Sequence, residues 1–159
     1  MTYFSENDFM YLGSNYTRGM LCEYMGINPY PRVEIEKGIY KPTRFSSVFI
    51  FSTIKNRWKL HNLKKSDALF IFSGNGDHNA SALIQQHRVT NNELLLFIRM
   101  TEETGFYYFG RCEYAGEYRL NGYRFPLYGL ELKDTSFSLQ ANNINVPGED
   151  QPGMIQPLP

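Results

Sequence analysis

Long apolar runs are missing from this chain of 159 residues, and so is any excess of charge of one sign. No stretch approaches the roughly 20 apolar residues of a membrane-crossing helix. The opening MTYFSENDFMYLG lacks the basic start and apolar centre of a secretory signal. Both absences predict a soluble cytoplasmic protein with no membrane partner. Sixteen basic and sixteen acidic residues cancel, so no whole-protein field argues for or against nucleic acid. Cysteine is scarce. Cys22 and Cys112 stand far apart without a CxxC pair, which gives no zinc signature; the two could pair with each other, but the expectation is buried free thiols.

Catalytic patterns are equally thin. There is no G-x-S-x-G, and SGNGD at residues 73–77 lacks the Lys-Ser/Thr of a phosphate loop. Asp67, Asp77, Glu93, Glu102, Glu103 and Glu113 are scattered, with no spacing that implies joint acid–base work. His61, His78 and His87 share no i, i+4 face and have no cysteine beside them. No enzymatic activity, metal or cofactor is expected.

What the chain has in abundance is aromatic residues, 16% of the total with 12 Tyr and 12 Phe, which favours a sheet-rich single domain. Its organising stretch is residues 68–88, ALFIFSGNGDHNASALIQQHR. Residues 68–72 are apolar on both faces, as a strand buried on both sides requires. Gly74 and Gly76 then permit positive φ in a tight turn, and Asp77 or Asn79 caps a helix over residues 79–88. Such a junction either presents a ring and backbone donors to a ligand or is only a compact connection.

A short amphipathic helix over residues 16–25, capped by Thr17 and ended by Gly26, is predicted near the start, with a further short helix over residues 6–12. Val33, Ile35 and GIYKP (38–42) read as short extended pieces. SVFIFSTI (47–54) and ELLLFIRM (93–100) read as strong strands. Residues 105–114 and 123–132 read as later antiparallel strands, with Pro126 and Gly129 marking an edge or bulge. The expected architecture is α+β, a curved antiparallel or mixed sheet, barrel-like, with a few flanking helices. Residues 1–134 form the domain, and the Pro- and Gly-rich residues 135–159 read as a tail or linker.

The loop KNRWKLHNLKKS (55–66) carries Lys55, Arg57, Lys59, Lys64 and Lys65 with no acidic residue before Asp67. Trp58, the only tryptophan, sits among them. The cations would neutralise phosphates while Trp58 stacks on a base, or the loop is simply solvated with its Trp tucked into the core. Arg18, Lys41 and Arg44 add cations elsewhere.

From GIYKP through SVFIFST, LFIFSGNGD, ELLLFIRM and FYYFGRCEYAGEY, the chain resembles the SRA (YDG) domains and their bacterial relatives of the PUA-like superfamily. The likeness spans about residues 38–133. The YTR…LLLFIR…FYYFG cadence is also similar to C-terminal domains of restriction-linked helicases. The resemblance implies a PUA/SRA-like partial barrel that flips a modified cytosine, 5-methyl or 5-hydroxymethyl, out of double-stranded DNA and sandwiches it between two rings. It implies that Phe72 is one ring and Trp58 the other, with Tyr40 and Tyr16 as substitutes, and that Asp77 fixes the turn. The loop acid that receives the cytosine amino group in the family is absent, replaced by His61, Asn62 or Asp67. Cleavage would fall to a nuclease or helicase domain or subunit. Rival expectations are a reader of phosphorothioate DNA or modified RNA, a module that takes a peptide in an aromatic groove, and an unrecognised nuclease.

Overall fold

The computed structural model describes residues 2–27, 38–74, 78–134, 138–139 and 144–159. Among these the chain is α+β. Its strands are β1 (Asn15–Tyr16), β2 (Ile39–Tyr40), β3 (Ser47–Lys55), β4 (Leu63–Lys64), β5 (Leu69–Ser73), β6 (Glu93–Thr101), β7 (Phe106–Leu120), β8 (Leu127–Leu132) and β9 (Ile155–Pro157). The helices are α1 (Arg18–Met25) and α2 (His78–Gln85). The strands form one open, curved sheet in the order β2-β3-β6-β7-β8-β5-β4, with β1 and β9 paired to the two ends of the long β7. β3 and β6 run parallel and every other pair is antiparallel.

Both faces of the sheet are covered, which explains the nearly continuous apolar strands. Val48, Ile50, Phe70, Phe72, Leu94, Leu96 and Ile98 point to one side, where Ala80 and Ile84 of α2 join them. Phe49, Phe51, Leu95 and Phe97 point to the other, beneath Phe4 and Leu21, Cys22 and Met25 of α1. Both cysteines are free and buried, as expected. Helix α1 follows its sequence signals closely. Thr17 accepts the Met20 N–H (3.0 Å) through its side chain, and Gly26 ends the helix at φ 70°.

Several expectations are corrected. The helix over residues 6–12 is absent, and the only helical turn there is Phe4–Glu6. Gly129 is not at an edge, because β8 is paired on both sides, but it does mark a bulge: the β7–β8 register shifts opposite it, between Tyr114 and Glu117. A Cβ there would lie 2.7 Å from Tyr118 Cε1, so the glycine permits close approach of β7. The irregularity lies in β7 itself, between Tyr114 and Glu117, where Gly116 sits at φ 93°. Val33 and Ile35 lie outside the described residues.

The C-terminal segment read as a tail is part of the body. Ile155 is fully buried with Leu63, Ile71 and Leu127, and β9 pairs with β7. Val146 and Leu139 are buried in the main core. Lys65 and Glu149 fasten this segment: Lys65 Nζ donates to Glu149 Oε1 (2.8 Å) and Ile155 O (2.7 Å), while the Ile155 N–H donates to Glu149 Oε2 (2.8 Å). Ile155→Ala should therefore cost about 2–5 kcal/mol, as large-to-small changes in a packed core do. Urea denaturation measures it, and a change within error would return the segment to a loose tail.

Candidate nucleic-acid interface

The basic loop owes its shape to Asn56. Its side chain accepts the Leu60 N–H (2.8 Å) and donates to Leu60 O (3.0 Å) and Thr53 O (3.0 Å). Within that clasp Lys59 adopts φ 56° and its N–H reaches Asn56 O (3.2 Å). The tight loop throws Trp58 outward, leaving it 64% exposed. The alternative of a core tryptophan is excluded. The Arg57 guanidinium lies 4.9 Å from the indole centroid.

Beyond the clasp the chain turns inward. Asn62 is buried; it accepts the Ser73 N–H (2.9 Å) through Oδ1 and donates to Thr53 O (3.2 Å) through Nδ2. His61 is half-buried, its N–H donating to Tyr123 Oη (3.2 Å) and its ring edge-on to Tyr123. Tyr123 Oη is 2.5 Å from Ser73 Oγ, and the Gly74 N–H donates to Pro126 O (2.9 Å). Three segments thus meet: residues 56–62, the end of β5, and the β7–β8 connection at residues 121–126.

That connection, of which residues 123–126 were expected within a strand, is a second basic–aromatic element. Arg119 and Arg124 are exposed, and the Arg124 guanidinium lies 4.7 Å from the Phe125 centroid. Its signal in the sequence is YRLNGYRF, where Asn-Gly marks a turn between cations and rings. Neither arginine has a carboxylate partner among the described residues.

The other cations divide into two groups. Lys55 and Lys59 are exposed, without a carboxylate partner among the described residues. Arg57 meets Glu102 (2.9 Å) in an exposed pair. Arg99, not singled out from the sequence, donates to Thr53 Oγ1 (2.8 Å) and lies over the Phe106 ring, which Arg18 also approaches at 5.6 Å. Arg18 thereby connects to the loop through Phe106, Arg99 and Glu102. Lys65, in contrast, is committed to Glu149, and Lys64 sits 3.4 Å from the exposed Asp67. Lys65, held by Glu149 and the Ile155 carbonyl, does not serve as a ready phosphate contact.

Phe72 requires the main correction. It is 3% exposed, and its ring lies against Gly38, where an added Cβ would stand 3.6 Å from Phe72 Cζ. A strand buried on both faces leaves its inward ring no side to offer a ligand. Tyr16 is also sealed, its hydroxyl donating to Phe9 O and accepting the Tyr11 N–H (3.0 Å). Tyr40 packs half-buried against the outer core. Gly74 is not in the left-handed region; a Cβ there would approach Tyr128 Cε2 to 3.0 Å, so close packing explains this glycine. Gly76 and Asp77 lie outside the described residues. Among the described residues no three His, Cys, Asp or Glu side chains gather as a metal site. No described helix is long and apolar enough to cross a membrane.

No protein-family model matches this sequence, and no curated protein matches it significantly.

The far side of α2 is held by His87, 5% exposed, whose Nδ1 is 3.0 Å from Asn92 O while Nε2 accepts the Tyr114 N–H (3.2 Å). The Nε2 contact needs the neutral ring, and burial holds the His87 pKa below the ordinary 6.5; Arg88 and Lys133 lower it further, against the Asn92 carbonyl and Glu113. Since the unfolded chain takes up the proton first, this contribution is whole above about pH 6.5 and is lost as pH falls through the lower folded-state value. The urea midpoint should therefore drop from about pH 7 to 5, and His87→Gln should flatten that drop. An unchanged profile in the variant would remove His87 as its cause.

Proposed function

We propose that this chain is a DNA-binding reader of modified cytosine, with a PUA/SRA-like fold, acting as the specificity part of a modification-dependent restriction system. The observation that carries the reading is the joining of two basic–aromatic loops, distant in sequence, through His61 and Tyr123. Lys55, Arg57, Lys59 and Arg124 neutralise phosphates, which carry no sequence information but hold the duplex in register. Trp58, exposed beneath Arg57, is the ring available to an extruded base. Extrusion costs a few kcal/mol and stacking returns about 1–3 kcal/mol per base, so phosphate contacts make up the difference. The second ring comes from the β7–β8 connection, where Phe125 is half-buried, in place of Phe72. The resemblance to SRA domains supplies the mark, 5-methyl- or 5-hydroxymethylcytosine. The chain has no catalysis of its own, and cleavage belongs to a nuclease or helicase partner.

Binding of one duplex carrying cytosine, 5-methylcytosine or 5-hydroxymethylcytosine tests this reading, with a modified duplex expected to bind tightest. Trp58→Ala should weaken that binding by about 1–3 kcal/mol, and the indole emission should be red-shifted in the free protein and quenched by DNA. Replacing Lys55, Arg57 and Lys59 together should weaken all three duplexes alike and flatten the salt dependence. Equal affinity for the three duplexes, or binding indifferent to salt, would sink the proposal.

A further inference from the structure

We infer that the hollow between the β7–β8 turn and β9 is a second binding site, taking one nucleotide unit of the bound strand. This rests on the reading just given and adds a site to it. The hollow, about 520 Å³, is lined by Arg119, Leu120, Asn121, Gly122, Met154 and Gln156. That lies within the roughly 300–1,000 Å³ of small-molecule sites.

The lining argues for the ligand class. Arg119 and Gln156 are directly opposed across the β7–β9 pair, so their side chains share a face. Gln156 Nε2 donates to Gly153 O (3.1 Å), which leaves its Oε1 as an acceptor. Asn121 is exposed at the turn, and no described residue takes up its amide. The turn is held by the Tyr123 N–H donating to Leu120 O (2.9 Å), with Gly122 at φ 83°, so the lining is preformed on one side. One guanidinium, two amides and the apolar Leu120 and Met154 together fit neither a bare anion nor a purely apolar ligand. They fit a nucleotide: phosphate on Arg119, base edge on Asn121 and Gln156, base face on the thioether. The site adjoins the proposed interface, since Gly122 precedes Tyr123, on which His61 packs.

The experiment pairs two measurements. A labelled duplex carrying 5-methylcytosine is titrated with wild type, Arg119→Gln, Gln156→Ala and Trp58→Ala, each with its thermal melt recorded. Deoxycytidine monophosphate is titrated into isotope-labelled wild type and Arg119→Gln while amide signals are followed. Arg119→Gln and Gln156→Ala should each weaken the duplex at least fivefold with unchanged melting, since both side chains are exposed. The mononucleotide should shift signals of residues 119–122 and 154–156 in wild type and leave Arg119→Gln unmoved. Wild-type affinity in Arg119→Gln and Gln156→Ala, with loss only in Trp58→Ala, overturns this site and leaves the reader intact. A wild-type protein indifferent to every duplex overturns both.

Discussion

Two hydrogen bonds from one buried amide shape the molecule around its proposed site. β3 and β5 are separated in the sheet by β6, β7 and β8, yet Asn62 accepts from Ser73 on β5 and donates to Thr53 on β3. The sheet must curl for both bonds to form. An unpaired amide at 7% exposure would cost about 1–3 kcal/mol, so the geometry is enforced and not merely allowed. The curl closes the inner face over Phe72, Ile98 and Tyr128, with α2 against it. With the interior filled, the chemistry available to a partner lies on the loops outside. That is why Trp58 and Phe72, paired in the expectation drawn from the resemblance, end on opposite sides of the boundary between solvent and core.

How much of this could be read from the sequence depended on the range of the interaction. Helix α1 was fully legible, because its cap, its apolar face and its terminating glycine lie within ten residues, 17–26. Strands β3, β5 and β6 were legible because burial on both faces leaves a continuous apolar run. The same run concealed the fate of Phe72: a strand apolar on both faces has no ligand-facing side, so the evidence for the strand was evidence against the ring's role. The C-terminal strap was not legible at all. Its anchors, Val146 and Ile155, are isolated apolar residues among Pro and Gly, and the Lys65–Glu149 pair spans 84 positions. The second basic–aromatic loop lay in plain view as YRLNGYRF, but only its contact with His61 gives it a place beside the first.

Composition also overstated the field of the first loop, and the structure shows which charges count. Lys65 is 20% exposed and holds both Glu149 and a backbone carbonyl; withdrawing it would leave the partly buried Glu149 carboxylate without its cation, so it belongs to the fold. Arg57 pairs with Glu102 while 68% exposed, and an exposed pair contributes at most about 1 kcal/mol. Such a pair exchanges readily for a phosphate. Arg119 and Arg124 enter the balance without an acidic partner among the described residues. Part of the acid that balances the chain is tied into the fold elsewhere: Glu149 on the strap, Glu113 on Arg88 and Lys133, Glu93 on Ser5 and Ser47. Each of those acids fastens one segment of the fold to another. The neutrality that made the whole sequence uninformative about nucleic acid is thus compatible with a cationic face, because some of the cancelling carboxylates, Glu93, Glu113 and Glu149, are tied into the fold.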